Sequence, residues 1–269
     1  MTSNNSTDAG MPMAGRDAAH LPGHWLLARL GKRVLRPGGR EMTTRMLAAA
    51  GLAGSDVVEL APGLGRTAKQ ILEDRPASYV GVEADQDAAT LARSAVGSKG
   101  TVIVGDADET TLPDSSADVV VGEAMLTMQT DAHKAQIVAE AFRVLRPGGR
   151  YAIHELALTP DTVPDEVKTE VRQALARSIK VNARPLATAE WRELLEQAGF
   201  DIDDVSFASM ALLEPRRIIT DEGPLRTLKF VSNVLRDRDA RARVLGMRST
   251  FRKHGDHMAA IAIIARKPR

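Results

Sequence analysis

A glycine turn between a strand-like run and a helix start constrains the fold of this chain more than any other feature. Residues 57–68 read Val-Val-Glu-Leu-Ala-Pro-Gly-Leu-Gly-Arg-Thr-Ala. The apolar run predicts a buried strand, and Gly63 and Gly65 allow a sharp turn because they carry no Cβ. The helix that follows presents free backbone amides. This succession is typical of a nucleotide cradle, although a plain tight turn between a strand and a helix gives the same pattern.

Strand-like and helical runs alternate along the rest of the chain. Strand-like runs occupy 56–60, 79–82, 101–104, 117–121, 150–156, 200–206 and 258–265, and helical patterns near 66–73, 87–96 and 132–144 separate the first five. This alternation predicts an α/β fold with a doubly wound (Rossmann-like), mostly parallel sheet of seven strands.

The helical segments outside this core give the expected division of the chain. We expect a disordered N-terminus over 1–20, two helices over 21–52, an α/β core over 53–210, a helical insertion over 211–254 and the last core strand over 255–269. The insertion is a candidate lid or recognition element, and packing against the sheet edge is the alternative.

Composition excludes several classes of function. The chain of 269 residues has a formal net charge of +1 and no cysteine. A neutral balance gives no global field that would recruit nucleic acid or an anionic membrane. The absence of cysteine excludes disulfides, thiolate catalysis and cysteine-based zinc sites, and it fits a cytoplasmic location. We expect no metal, and the N-terminal residues have neither the basic nor the apolar region of a signal peptide. We also expect no membrane span, because the longest apolar run covers only residues 258–265.

Charge is uneven along the chain. Residues 57–140 hold 14 acidic and 6 basic side chains, and residues 211–254 hold 11 basic and 5 acidic ones. The basic excess is interpreted as solvated helix faces.

The glycine turn alone does not identify the nucleotide. Read as Gly63-x-Gly65-x-x-Ala68, it also matches the dinucleotide fingerprint, and Glu83 lies near the roughly 20-residue spacing of a ribose-binding acid. NAD is therefore open at this point. Other motifs follow: Glu59 in the first strand, Asp106 after the third, Leu-Pro at 112–113 and Arg-Pro-Gly-Gly at 146–149.

Taken together, these motifs resemble the class I S-adenosylmethionine-dependent methyltransferases, especially the ubiquinone/menaquinone-type branch that acts on small molecules. The resemblance covers residues 51–200. It implies S-adenosylmethionine as the cofactor. The cofactor-binding residues that it implies are Glu59, Ala61, Pro62, Gly63 and Gly65 for the methionine portion, Glu83 and Ala84 for the ribose, Asp106 and Ala107 for the adenine, and Glu123 with Ala124. Ala61 and Pro62 depart from the family pattern, in which glycine often comes first.

Elementary chemistry agrees with these implied roles. One carboxylate can accept hydrogen bonds from two vicinal hydroxyls, as a ribose clamp requires. The acidic excess of residues 57–140 favours a cofactor that carries a sulfonium and an ammonium group. Each acid also has a structural alternative: Glu83 as a helix N-terminal acid, Asp106 as a turn former and Glu59 as a partner for a backbone amide.

The sequence contains fewer signals for the residues that bind or activate the methyl acceptor. Strand ends at the ligand-facing edge are where a base is expected, and His154 and Glu123 are the candidate catalytic residues. His154 is alternatively a core histidine, and Glu123 a cofactor contact. Candidate substrate-binding residues are His24 and Trp25 on the first helix, Met125, Met128 and His154.

The sequence thus predicts methyl transfer to the O, N or C nucleophile of a small molecule, with a phenolic or quinone-like ring as one class. The alternatives are an NAD-dependent oxidoreductase and an RNA-modifying methyltransferase that uses the basic segment 216–253. That segment contains only two aromatic residues, Phe230 and Phe251, so we expect no nucleic-acid partner. The oligomeric state, monomer or homodimer, is open.

Overall fold

Eight strands form one sheet in the computed structural model, which describes residues 12, 13, 15 and 17–269. In chain order the strands are β1 (Asp56–Leu60), β2 (Ser78–Glu83), β3 (Thr101–Val104), β4 (Ala117–Glu123), β5 (Leu145–Leu158), β6 (Leu186–Ala187), β7 (Asp201–Ser209) and β8 (Met258–Arg266). Their order across the sheet is β3-β2-β1-β4-β5-β8-β7, and the short β6 pairs with β5. All pairs are parallel except β5–β8 and β7–β8, which are antiparallel.

Helices connect and cover these strands. They are α1 (Gly23–Arg29), α2 (Gly39–Ala50), α3 (Arg66–Glu73), α4 (Gln86–Val96), α5 (Asp131–Val144), α6 (Asp165–Ile179), α7 (Thr188–Gln197), α8 (Pro215–Glu222), α9 (Pro224–Arg236) and α10 (Arg238–Lys253). In the described part of the chain, no helix is both long enough and apolar enough to cross a membrane.

The predicted fold class is confirmed. The sheet is mostly parallel, α1 and α2 precede it, and α8 to α10 precede its last strand. The sequence missed β6 because two residues are too short a run to show strand periodicity. The predicted disorder over residues 1–20 lies largely outside the described residues.

Alternation along the strands divides the core between the two faces of the sheet. In β8, Ala260, Ala262 and Ile264 pack with α2, α3 and α4, whereas Ile261 and Ile263 pack with α5 and α7. Side chains of a strand point alternately to opposite faces, so a strand that is apolar at every position is covered on both. A third apolar cluster joins α1, α6, α8, α9 and α10 beyond the end of β5.

The strand order reverses between β1 and β4. The chain passes from β1 outward to β2 and β3 and then returns to β4 on the other side of β1. In doubly wound sheets, ligands bind at the carboxyl ends of the strands beside such a reversal. The glycine turn after β1 and the loop after β4 both lie at this edge.

Candidate active site

A cavity of about 470 Å³ lies at the carboxyl ends of the central strands. This active-site cavity has the size of a small-molecule site. The predicted site residues that line it are His24, Trp25, Glu59, Ala61, Pro62, Gly63, Glu83, Ala84, Glu123, Ala124, Met125 and Met128. Four others, Gly65, Asp106, Ala107 and His154, do not.

The first half of the glycine turn presents backbone to the cavity. Ala61 has a φ of 53° and Gly63 has the same value, so both lie in the left-handed region. A Cβ built on Gly63 would have only the Ala61 carbonyl oxygen near it, at 3.9 Å. The turn therefore leaves room above Gly63 for a ligand to approach the backbone. Ala61 adopts its conformation at a cost, since a left-handed residue with a Cβ is disfavoured by about 1–2 kcal/mol.

Gly65 has a packing role, and its predicted contact with the cofactor stays a prediction. It is buried at the N-cap of α3 with a φ of 65°. A Cβ at this position would lie 2.4 Å from the Cβ of Ala95 on α4. Gly65 is thus required for the close approach of α3 and α4, and it faces that helix instead of the cavity.

Glu83 ends β2 with its carboxylate at the cavity. Its Oε2 accepts a hydrogen bond from the Gly63 amide (2.9 Å), and its Oε1 accepts one from the Asp85 amide (3.1 Å). Burial raises the pKa of Glu83. A carboxylate has about four acceptor positions, so two remain for a ligand. This arrangement suits two neighbouring hydroxyl groups.

Asp106 and Ala107 lie beyond the cavity on the turn after β3. Asp106 is exposed, its carbonyl accepts a hydrogen bond from the Glu109 amide (3.3 Å), and Ala107 packs against the core. The preceding Gly105 donates its amide to the Glu83 carbonyl (3.1 Å). The turn therefore adjoins the Glu83 end of the cavity without lining it, and an adenine contact by these two residues stays a prediction.

Glu59 is buried in β1 beside other carboxylates. Tyr79 donates its hydroxyl to Glu59 Oε2 at 2.6 Å. Burial, reinforced by the charge of Glu123, raises the pKa of Glu59 to about 8, although the Tyr79 hydrogen bond opposes the shift. Glu59 is consequently protonated at neutral pH and can donate a hydrogen bond into the cavity.

Glu123, the last residue of β4, is the centre of a buried polar cluster. Its carboxylate accepts hydrogen bonds from the hydroxyls of Thr43 and Thr67. Arg36 Nη1 lies 2.6 Å from Oε2, and His154 Nδ1 lies 2.7 Å from Oε1. Burial alone would raise the pKa of Glu123, but Arg36 and His154 hold it at about 2. A carboxylate that is ionised and bonded on all sides is a fixed charge and a poor proton acceptor.

His154 lies behind Glu123 and has no exposed surface. The two residues are register partners in the parallel pair β4–β5. The Gly38 amide donates to His154 Nε2 (3.1 Å), which assigns the ring proton to Nδ1 and its hydrogen bond to Glu123. Both ring nitrogens are therefore engaged within the protein. This geometry does not favour the predicted direct contact of His154 with substrate, and it gives the ring a positioning role toward Glu123.

Glu155 points to the opposite face of β5 and fixes the loop after β4. Its carboxylate accepts hydrogen bonds from the amides of Met125 (2.9 Å), Leu126 (2.8 Å) and Thr127 (3.1 Å), and from the Thr127 hydroxyl (2.6 Å). Ala124, just before this loop, has a φ of 54°. The cluster of donors explains why a fully buried carboxylate is present here.

The part of the cavity away from the glycine turn is apolar. We call it the acceptor half, and its residues come from α1, β5, α6, α10 and the loops after β4 and β7: Trp25, Leu27, Met128, Leu156, Leu175, Ile179, Met210, Leu212, Met247 and Phe251. His24 also lines the cavity, and the centroid of its ring lies 4.8 Å from that of Trp25, with the two rings tilted by 54°. No described residue forms a hydrogen bond with it, and burial lowers its pKa to about 4. His24 is thus a neutral imidazole with free nitrogens at the cavity.

Sequence reasoning missed Arg36, Thr43 and Thr67. Arg36 belongs to the heptapeptide Val-Leu-Arg-Pro-Gly-Gly-Arg, which occurs at 34–40 and again at 144–150 and by its proline and glycines predicts the end of a helix. The second copy places Arg146 at the surface beside Asp56 and Asp118. Identical heptapeptides give no sign of which arginine is buried. A threonine within the glycine motif was the one available signal, at Thr67.

Comparisons with known proteins agree with this site. A family model described as a methyltransferase domain matches residues 58–153. An uncharacterized protein of Haemophilus influenzae is 33% identical over 251 residues, covering 91% of this chain and 98% of that protein. A probable S-adenosylmethionine-dependent methyltransferase of Mycolicibacterium smegmatis is 36% identical over 156 residues, covering 56% of this chain and 54% of that protein.

Two solved structures share the fold. The [4+2]-cyclase SpnF superimposes with a TM-score of 0.68 and 18% identity, covering 90% of this chain and 91% of that one. Phosphoethanolamine N-methyltransferase 2 of Haemonchus contortus, in complex with phosphomonomethylethanolamine and S-adenosylhomocysteine, gives a TM-score of 0.69 and 19% identity, covering 98% of this chain and 61% of that one. At such identities the similarity concerns the fold alone.

The methyltransferase-domain match spans the glycine turn, Glu83 and Glu123. The Mycolicibacterium relative is described as a probable S-adenosylmethionine-dependent enzyme, and the Haemonchus structure holds S-adenosylhomocysteine. Residues 58–153 therefore form a methyltransferase domain, and the protein is an S-adenosylmethionine-dependent methyltransferase.

Proposed function

We propose that the enzyme methylates a small molecule with a largely apolar body, at an oxygen, nitrogen or activated carbon atom. The observation that carries this proposal is the acceptor half of the cavity, where side chains such as Trp25, Ile179, Met247 and Phe251 surround the space beside the glycine turn. Apolar walls with few polar groups select ligands by shape and exclude water.

The cofactor end of the cavity supports the predicted binding residues. Glu83 has two acceptor positions for ribose hydroxyls, and the open backbone at Gly63 suits the methionine portion. Pro62 and Ala84 line the same end. When bound, S-adenosylmethionine supplies a methyl group on a sulfonium ion that a nucleophile in line with the carbon–sulfur bond accepts. The protein's own share is to position the acceptor and exclude water, which can supply much of the rate.

His24 is the residue that we assign to an acceptor with a hydroxyl or amine. Its neutral ring can accept a hydrogen bond from O–H or N–H and so direct the lone pair of that atom away from the ring. Glu123 does not suit this task because its oxygens are occupied by Arg36, His154 and two threonines. For Glu123 we propose the charge that faces the cofactor, as its place at the end of β4 suggests.

A phenolic or quinone-like ring fits the resemblance to the ubiquinone/menaquinone-type branch, and the flat aromatic surface of Trp25 could stack on such a ring. The comparisons do not single out that branch, and none of them points to an oxidoreductase. We also keep a cytoplasmic location as a proposal, because a chain without cysteine suits a reducing compartment.

Transfer of label from methyl-labelled S-adenosylmethionine into a cell extract tests the proposal. We expect a labelled small molecule whose mass spectrum identifies the acceptor, and S-adenosylhomocysteine should suppress its formation. Glu83→Ala is the matched negative control. Label found only in protein or RNA would contradict a small-molecule acceptor, and a converted product without label would indicate a cyclase-type reaction on the same fold.

A further inference from the structure

A second hollow of about 360 Å³ adjoins the active-site cavity between α3, α4, α9 and the end of α1. We call it the basic groove. Its lining includes Lys32, Arg33, Arg66, Lys69, Arg226 and Lys229, and no acidic residue among those that the structure describes. Arg33, Leu64 and Arg66 line both the groove and the active-site cavity, so the two spaces are adjacent.

Only two of these cations are neutralised. Glu222, at the end of α8, lies 3.9 Å from Lys32 Nζ and 3.5 Å from Arg226 Nε. For Arg33, Arg66, Lys69 and Lys229, no carboxylate of the described residues lies within 4.0 Å. The Nε of Arg66 is buried and has no hydrogen-bond partner.

The cations of the groove also act on one another. Burial is the main cause that lowers the pKa of Arg66, and the neighbouring Arg33 and Arg226 lower it further. A hollow that gathers several cations without a counter-charge is costly for the free protein, and a multivalent anion removes that cost. Guanidinium groups match the geometry of phosphate oxygens, and lysines add point charges.

We propose that the basic groove binds a phosphate or diphosphate group, carried by the methyl acceptor whose body lies in the acceptor half. Anion binding by the groove stands by itself, whereas its assignment to the acceptor rests on the proposed function. Because Arg33 and Arg66 border both spaces, they are placed to hold the phosphate of an amphiphilic molecule whose body lies in the acceptor half. The same chemistry could come from a free anion, and the experiment separates the two sources.

Calorimetric titration with inorganic pyrophosphate tests the groove itself. We expect one site on the wild-type protein and about tenfold weaker binding to the Lys69→Gln/Lys229→Gln variant, since each lysine contributes a charge-assisted contact. These two lysines line the groove and not the active-site cavity, so the affinity for S-adenosylhomocysteine should be unchanged. The control is Arg45→Gln/Arg241→Gln, which removes two exposed charges elsewhere.

Three results would overturn the proposal: no binding of pyrophosphate to the wild type, an equal loss in the control variant, or competition between pyrophosphate and S-adenosylhomocysteine. Competition would mean that Arg33 and Arg66 hold the carboxylate of the cofactor. If S-adenosylhomocysteine fails to bind the wild type, the proposed function fails while the pyrophosphate result stands separately.

Phosphatase treatment of the extract before the methyl-transfer assay separates the two sources. If the acceptor carries the phosphate, the labelled product disappears with treatment, and the Lys69→Gln/Lys229→Gln variant requires more untreated extract for the same yield. Unchanged labelling in treated extract would overturn the assignment to the acceptor and leave a free anion as the ligand.

Discussion

Two carboxylates on adjacent strands of this site have opposite ionisation for identifiable reasons. Among the described residues, Glu59 has only a tyrosine hydroxyl as its hydrogen-bond partner and is protonated, whereas Glu123 has an arginine and a histidine and is charged. Both side chains are buried, so the difference in ionisation arises from their hydrogen-bonding and charged partners and not from burial. It places one neutral donor and one fixed negative charge in the same small cavity.

Replacement of each carboxylate by an amide should reveal these states in the pH dependence of stability. The pKa of Glu59 rises from 4.5 to about 8 on folding, so wild-type stability falls as the pH increases through that window. We expect Glu59→Gln to be increasingly more stable than the wild type from pH 5 to 8.5, by up to about 4 kcal/mol. Urea unfolding across this range measures the difference.

Glu123→Gln is the counterpart with the opposite sign. The pKa of Glu123 falls from 4.5 to about 2 on folding, so its stabilisation is fully present above pH 4.5 and is lost only below it. This variant should be less stable than the wild type by about 3 kcal/mol at all pH values from 5 to 8.5. If Glu59→Gln raised the free energy of unfolding equally at all pH values, the protonated state of Glu59 would be contradicted.

Glycine should be more stable at position 61 than the native alanine. The Ala61 φ of 53° is in the left-handed region, where a Cβ costs about 1–2 kcal/mol. Ala61→Gly removes this cost, but glycine also loses more conformational entropy on folding. We therefore expect a net stabilisation of about 0.5–1 kcal/mol. Thermal unfolding tests this, with Ala68→Gly in the regular part of α3 as the control that should be destabilised. Loss of stability at both positions would argue against strain at Ala61.

At the scale of elements, α8 fixes the segment that carries Arg33 and Arg36 into the site. Glu222 Oε1 accepts the amides of Arg33 (2.6 Å) and Val34 (2.8 Å), and the same carboxylate lies near Lys32. A helix from the late insertion therefore holds an N-terminal loop against the cavity. The geometry of Glu123 depends on that loop through Arg36 and the Gly38 amide.

Removal of this link should affect both stability and the site. Glu222→Ala leaves two amides without a partner and the buried Lys32 without its counter-charge, and we expect a loss of about 3–5 kcal/mol. Glu222→Gln retains an acceptor for the amides and should lose less. Glu214→Ala, which removes a half-exposed pair with Arg248, is the control, with an expected loss below about 1 kcal/mol. Equal losses for Glu222 and Glu214 in urea unfolding would contradict a fixing role for α8.

At the scale of the whole molecule, binding of the cofactor product should stabilise the fold. At a concentration 100 times its dissociation constant, S-adenosylhomocysteine adds about 2.7 kcal/mol, which raises the melting temperature by roughly 5–10 °C for a chain of this length. NAD should give no shift. Glu83→Ala should lose about 1–3 kcal/mol of binding free energy through two missing charge-assisted hydrogen bonds. A shift with NAD alone would contradict the cofactor assignment.

Local signals were sufficient for the sheet and for one half of the site. The glycine turn, the acid after β2 and the strand periodicity are encoded within a few residues, and the structure brings Ala61, Gly63 and Glu83 to one cavity. Glu123 and His154 were candidates from the sequence, but their link to Arg36 and Thr43 could not be predicted. These two residues lie about 80–90 residues before Glu123, in a helix break and a helix. For the same reason the glycine motif does not predict that Gly65 packs on Ala95.

The position of β8 between β5 and β7 has a consequence for the order in which the chain can fold during synthesis. β5 ends at Leu158 and β7 at Ser209, yet their shared neighbour begins only at Met258. Until residues 258–266 have left the ribosome, β7 has no partner in the sheet and β5 has an unpaired edge. The half of the sheet that holds the glycine turn can form from consecutive βα units well before that. The nascent protein is thus expected to shape its cofactor end first and to close its acceptor half last.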